Sequence, residues 1–297
     1  MTAIVGIHGI GKQQSGRHQM APSWRAALRD GLERASGFAV PEPPLDLAFY
    51  GHLFSPAAST SPDPSLVRGR KGPGHVEPWQ VFAGLEGEEL EDLLEAAGEA
   101  VTPAEVEAAA AAPAKAYTRV PIPFQAVLRA MDSKFAPSAG ILYFGALREV
   151  RRYLKDAELK ERIDAEVRAG VSPACRVLIG HSLGSVVAFE YIRQNPRHRL
   201  ERLVTLGSPL SLRMVSKLLP NPHYGRVRGL PVTLGSWVNI RDARDPVTCG
   251  GALHRGWPGV DDRPPVDNRG DAHAVERYLG KRETGSAVLE VLPGLAP

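Results

Sequence analysis

The chain has 297 residues, of which 43% are hydrophobic and 23% charged, and its formal net charge is +3. This length supports one sizeable hydrophobic core, so we expect a single domain over 1–297. The small net charge argues against a general affinity for nucleic acid or for anionic membranes. Two cysteines are too few for a disulfide framework, and nothing in the sequence indicates a metal or an organic cofactor.

No targeting or membrane segment is predicted. The first residues lack the basic and long apolar stretches of a secretory signal, and no segment approaches the ~20 apolar residues that a membrane span requires. We therefore expect a soluble, cytoplasmic protein with no integral membrane segment. The oligomeric state is left open by the sequence.

Apolar runs alternate with helical stripes along much of the chain. The run at 3–7 predicts a strand, and Trp24, Leu28 and Leu32, at helical spacing, predict a helix after it. Strands separated by helices form a mainly parallel, doubly wound sheet with helices on both faces. The same patterns predict further strands at 45–50, 176–179, 203–206 and 237–240, and a helix at 144–154.

The alternation is interrupted over 55–136, which we interpret as an insertion. Its first part, 55–74, is dense in Ser, Pro and Gly and predicts an irregular loop. An apolar stripe then predicts a helix at 85–101. Thr102 and Glu105 have the spacing of a capping box, which predicts the start of another helix.

The insertion carries a run of like charge. Nine acidic side chains and no basic one lie between residues 85 and 107. Such a run is usually a solvated helix face, but the helix could also belong to a lid over a binding site. The segment 117–124 could line that site or tie the insertion down.

The strongest chemical signal is VLIGHSLGSVV at 177–187, where Gly-x-Ser-x-Gly lies between a predicted strand and a helix-compatible run. A sharp turn between strand and helix forces its central residue, Ser182, into a strained backbone conformation. Gly180 and Gly184 leave room for neighbouring elements. The helix N-terminus would favour the oxyanion that forms when Ser182 attacks a carbonyl. Ser182 is thus the candidate nucleophile, and the alternative is a Gly-rich turn with an incidental serine.

This segment resembles the nucleophile elbow of the α/β-hydrolase superfamily, especially its lipase and esterase branch. VGIHGIG at 5–11 resembles the loop of these enzymes that supplies one N–H group to the oxyanion hole. The resemblance implies that the N–H groups of Ile10 and Leu183 form this hole and that His8 shapes the loop. It covers about residues 3–280, apart from the insertion.

A second interpretation of the same loop is a nucleotide site. GIHGIGK at 6–12 matches the Gly-x-x-x-x-Gly-Lys part of a phosphate-binding loop, and it too follows a strand and precedes a helix. Gln13 stands where the Mg²⁺-binding Ser or Thr is required, and no apolar strand ending in Asp supplies a second metal anchor. We therefore favour the oxyanion loop.

The family order implies an acid and then a base C-terminal to Ser182. Two aspartates follow the strand at 237–240. Asp245 precedes Pro246 and resembles the Asp-Pro-Val turn after the acid strand of lipase-like hydrolases. Asp242 fits a turn or cap residue, so we favour Asp245 but keep Asp242 as an alternative.

His254 and His273 are the histidines downstream of both aspartates. His254 follows too closely to leave room for the intervening helix and strand of the family. His273 lies in a polar loop before an apolar helical stripe, where Asp271 could cap the helix. The resemblance therefore implies a triad of Ser182, Asp245 and His273.

This triad predicts a serine hydrolase that cleaves a carboxylic ester through an acyl-enzyme intermediate. The expected substrate is a small-molecule or lipid acyl ester, and the reaction needs no cofactor. A thioesterase or acyltransferase would use the same triad. A binding protein of the same fold whose triad no longer assembles is the alternative outside catalysis.

Overall fold

The protein is described here by a computed structural model that covers residues 2–9, 11, 16–54, 81–85, 87–111, 117–219 and 233–297. Within these ranges, six strands form one parallel sheet. They are β1 (Ile4–Ile7), β2 (Leu45–Ala48), β3 (Val177–His181), β4 (Arg202–Leu206), β5 (Ser236–Ile240) and β6 (Val260–Asp262). Their order across the sheet is β2-β1-β3-β4-β5-β6.

Helices connect the strands. They are α1 (Arg17–Ser36), α2 (Gly87–Ala100), α3 (Pro103–Ala111), α4 (Ile122–Lys134), α5 (Ala139–Lys155), α6 (Ala157–Gly170), α7 (Leu183–Gln194), α8 (Arg213–Leu218), α9 (Val275–Leu279) and α10 (Arg282–Leu289). None of the helices in the described ranges combines the length and the apolar character that a bilayer crossing demands.

Two apolar clusters cover the two faces of the sheet. Ile4 belongs to the cluster with α1, α9 and α10, whereas its neighbour Val5 belongs to the cluster with α2 and α4 to α8. This alternation follows from the two-residue period of a strand. The prediction of a doubly wound α/β fold with a parallel sheet is confirmed.

Several elements were not predicted from the sequence, and α8 and α10 are among them. β6 has only three residues, two of them aspartates, so it lacks an apolar run. α4 begins beside two prolines, which obscured its helical stripe, although proline is tolerated in the first helical turn. α6 shows the spacing of a buried stripe in Leu159, Ile163 and Val167, and this signal was available in the sequence.

The described part of the insertion packs on the sheet domain. The apolar side of α2 is buried in the same cluster as α5 and α7. The capping box is confirmed, because the Thr102 N–H donates to Glu105 Oε2 at 2.6 Å and the Glu105 N–H donates to Thr102 Oγ1 at 3.3 Å. The predicted loop at 55–74 lies outside the described residues.

Most carboxylates on the acidic side of α2 form ion pairs, and Glu88 and Glu95 are at the same time exposed to solvent. Its carboxylates face basic side chains of α5 and α8. Each such pair near the surface contributes about 0.2–1 kcal/mol, but together they fix how α2 lies on the domain. The pairs include Glu89 with Arg148 at 2.8 Å, Asp92 with Arg151 at 2.7 Å and Glu95 with Lys217 at 2.7 Å.

The start of α7 lies directly against the end of β1. A Cβ atom on Gly184 would overlap the carbonyl oxygens of Ile7 and His8. One on Gly180 would lie 2.6 Å from the Gly184 oxygen. Both glycines of the motif are therefore required by close backbone approach, as the sequence predicted.

The close approach of Gly184 to β1 leads to a prediction about stability. Gly184→Ala should lower the free energy of unfolding by about 3 kcal/mol, because the new methyl group meets backbone that cannot move aside. Gly145→Ala is the matched control, since Gly145 lies inside α5 with open space around it and should gain about 0.4–1 kcal/mol. Urea unfolding of both variants measures the difference. Equal stability of the two would contradict the close approach.

Candidate active site

Ser182 occupies the turn between β3 and α7. Its backbone has φ 55° and ψ −128°, a strained conformation that costs about 1–3 kcal/mol for a residue with a side chain. The Ser182 N–H donates to the Leu206 oxygen at 3.0 Å, which anchors the turn to β4. Its buried Oγ makes no hydrogen bond to any residue that the structure describes. Ser182 thus has the strained turn that the motif predicts.

The N-terminus of α7 points at this serine. Leu183 is the first residue of the helix, so its N–H group is among those that have no acceptor within the helix. Ile10, the second expected oxyanion donor, lies outside the described residues. Its neighbour Gly9 packs on the serine, because a Cβ atom on Gly9 would lie 2.7 Å from Ser182 Cβ.

His8 holds the chain that leads into this loop. The Tyr50 N–H donates to His8 Nε2 at 3.2 Å, so this nitrogen is an acceptor and Nδ1 carries the proton. Nδ1 lies 2.8 Å from the Gly9 oxygen and donates to it, and the Tyr50 hydroxyl donates to the His8 oxygen at 2.6 Å. Both nitrogens of the buried ring are therefore engaged in loop structure.

Asp245 and His273 form a buried pair. Nδ1 of His273 lies 2.7 Å from Oδ2 of Asp245, which has no solvent exposure. Oδ1 of Asp245 accepts the Val247 N–H at 3.0 Å, in the short turn that Pro246 begins. The other ring nitrogen of His273, Nε2, makes no hydrogen bond to the described residues.

Asp242 and His254, the alternatives to Asp245 and His273, make other contacts. Oδ1 of Asp242 accepts the Arg244 N–H at 2.8 Å and its Oδ2 accepts the Asn268 N–H at 2.5 Å, so Asp242 is a turn residue. His254 lies beside Asp262 at 2.8 Å on the surface. The expected cap by Asp271 is wrong, since the N-cap of α9 is Ala274 and no side chain bonds to it.

His181 connects the serine turn to the histidine loop. Its Nε2 lies 2.8 Å from the His273 oxygen, and the two rings are 4.7 Å apart. Since Ser182 is the next residue, this contact brings Ser182 close to His273. Ser182 Oγ and His273 Nε2 are not hydrogen-bonded to each other in the structure.

Sequence reasoning missed Tyr278. Its hydroxyl donates to Asp245 Oδ2 at 2.7 Å and accepts the Asp242 N–H at 2.9 Å. Burial, together with the charge of Asp245, raises the pKa of Tyr278 far above its ordinary value, so the hydroxyl keeps its proton. A tyrosine in an apolar stripe indicates that a partner is needed but does not identify it.

Gly207 makes the pairing possible. It follows β4 with φ 55°, and a Cβ atom there would lie 2.9 Å from Asp245 Oδ2 and 3.3 Å from His273 Nδ1. A side chain at this position would therefore enter the hydrogen bond itself.

The structure describes only part of the loop that would form the nucleotide site, so it does not test that interpretation. Gly6, which would begin the phosphate loop, is paired inside the sheet with Leu47 and Ile179. Ile10 and residues 12–15 lie outside the described ranges.

Neither a metal nor a thiol is indicated at the site. Across the part of the chain that the structure describes, no three His, Cys, Asp or Glu side chains are placed to hold a metal ion. Burial raises the pKa of the Cys175 and Cys249 thiols to about 12. Both are protonated at neutral pH and are poor nucleophiles.

The chain was compared with known proteins in three ways. No protein-family model, no curated protein and no solved structure matches it. The site therefore has to be interpreted from its own geometry.

Gly207→Ala should separate His273 from Asp245. The change adds a methyl group between them and places a side chain at a positive φ, which costs about 1–2 kcal/mol. The downfield proton resonance of an imidazole N–H bound to a carboxylate should disappear from the NMR spectrum. Gly270→Ala, in the same histidine loop but with open space around it, should retain this resonance. Its survival in Gly207→Ala would contradict the geometry.

Proposed function

We propose that this chain is a serine hydrolase of the α/β-hydrolase superfamily that cleaves a carboxylic ester. The observation that carries the proposal is the buried pair of Asp245 and His273 beside a strained serine turn. Ser182, Asp245 and His273 also occur in the chain order of that superfamily.

The sheet supports the same proposal. Ser182 follows the inner strand β3, Asp245 follows β5 two strands away, and His273 follows β6. All three lie beyond the carboxyl ends of parallel strands, where open α/β sheets bind their ligands. The carboxyl ends of the strands lie at one edge because the sheet is parallel throughout the described residues.

In the proposed reaction, Ser182 Oγ attacks the ester carbonyl while His273 Nε2 accepts its proton. Asp245 orients the ring and stabilises the imidazolium that forms. The Leu183 N–H, with the N–H of Ile10 as the second proposed donor, holds the oxyanion. His273 then returns the proton to the leaving alcohol.

Water completes the second half-reaction. His273 removes a proton from the water as it attacks the acyl-enzyme, and Ser182 is released with its proton restored. No cofactor takes part in either step. The proposed substrates are small-molecule or lipid acyl esters, and thioesters or transfer to another acceptor would use the same groups.

Ser182→Ala should abolish ester hydrolysis and labelling by a fluorophosphonate probe. The loss should reach several decades, since removal of a triad nucleophile leaves only the residual catalysis of the binding site. Ser216→Ala, on α8, is a control that should be labelled like the unmodified protein. p-Nitrophenyl ester hydrolysis and probe labelling give the measurement. An unmodified protein that neither labels nor hydrolyses esters would favour the non-catalytic binding protein.

Asp245→Asn should reduce turnover, whereas Asp242→Asn should reduce stability. Asparagine at 245 favours the wrong imidazole tautomer, so turnover should fall by about 10⁴-fold, as it does in serine protease triads. Asparagine at 242 weakens a turn and should cost about 0.5–2 kcal/mol of stability with near-normal turnover. Steady-state kinetics and thermal unfolding separate the two effects. Exchanged phenotypes would show that the acid is Asp242.

A further inference from the structure

We infer that Tyr278 is a positioning residue that sets the strength of the bond between Asp245 and His273. This inference rests on the proposed function, because it concerns the base of that reaction. It assigns to the tyrosine hydroxyl a role in the chemistry beyond packing in the core.

Among the described residues, three donors bind the carboxylate of Asp245, and two of them share one oxygen. His273 Nδ1 and the Tyr278 hydroxyl both lie 2.7 Å from Oδ2, whereas the Val247 N–H binds Oδ1. The two donors on Oδ2 compete for the same negative charge. A stronger bond from Tyr278 therefore weakens the attraction between Asp245 and the imidazole.

Tyr278 is itself held in place from two sides. Its hydroxyl oxygen accepts the Asp242 N–H at 2.9 Å, so its proton is directed at Asp245. The ring is fully buried between the sheet and α1 in the cluster that contains Trp24 and Leu28. The raised pKa of the phenol keeps the donor present throughout the neutral range.

Within the described residues, few charged or titratable groups surround Asp245, His273 and Tyr278. His181 on β3 faces both His273 and Tyr278, with ring centroids 4.7 Å and 6.1 Å away. Asp242 contributes a carboxylate whose oxygens are bound by backbone N–H groups. Burial, with a contribution from the charge of Asp245, raises the pKa of the Cys249 thiol after β5, so this thiol is protonated. The nearest neutral donor to the Asp245 charge, besides the imidazole, is therefore Tyr278.

Removal of the Tyr278 hydroxyl should change the protonation of the imidazole in one direction. In Tyr278→Phe the charge on Oδ2 is shared with the imidazole alone, which stabilises the protonated ring. The base then stays protonated to higher pH, so the acid limb of the pH–rate profile should move up by about 0.5–1 pH unit. The Nδ1 proton resonance should move further downfield.

Tyr153→Phe is the matched control. Tyr153 is also fully buried, and its hydroxyl also donates to a buried carboxylate, Asp164, at 2.7 Å. Its loss should lower stability without moving the pH profile or the His273 resonance.

The test combines NMR of the Nδ1 proton with the pH dependence of fluorophosphonate labelling. Movement of both in Tyr278→Phe, with neither moving in Tyr153→Phe, supports the inference. An unchanged resonance and an unchanged acid limb in Tyr278→Phe would overturn it and leave the tyrosine a purely structural role. Failure of the unmodified protein to label Ser182 is a different result. It would refute the proposed hydrolase, while the NMR comparison would still decide whether Tyr278 controls the pair.

Discussion

The structure depends on how closely backbone segments approach one another at the carboxyl edge of the sheet. Gly184 lies against the end of β1, Gly9 against Ser182, and Gly207 against the Asp245–His273 pair. At each point a single methyl group would fill the space. The candidate site is therefore assembled from strand ends and turns whose separation is fixed by the absence of side chains, and the reactive groups project into what remains.

Within this frame, the cost of burying Asp245 is offset by its hydrogen bonds. A buried carboxylate is unfavourable unless donors replace the lost water. Val247 supplies one donor from the turn that contains Asp245, and His273 and Tyr278 supply two more from the histidine loop and α9. The same bonds that stabilise the charge also hold the segments together, so the electrostatics of the site and the local packing cannot be separated.

The sequence predicted those features that depend on local pattern. β1, β3, β4 and β5 are rich in apolar residues because both faces of these strands are buried. The glycines around Ser182 could be predicted from their spacing. β6 was not predicted because two of its three residues are aspartates at the sheet edge. The partnership of Tyr278 with Asp245 could not be predicted, since it arises only when α9 packs beside the turn after β5. The pairing of the acidic run was missed for the same reason.

That acidic run has a consequence for the folding chain. Glu95 and Lys217 are separated by 122 residues, and Glu89 and Arg148 by 59. The closure entropy of such long loops must be offset before these contacts form, so the ion pairs are absent from the unfolded chain. Before they form, the helix presents repelling carboxylates beside its apolar stripe. Like charges of this kind oppose intermolecular association of an exposed apolar surface. The charges that end as ion pairs therefore first act to keep the unfinished chain from aggregating.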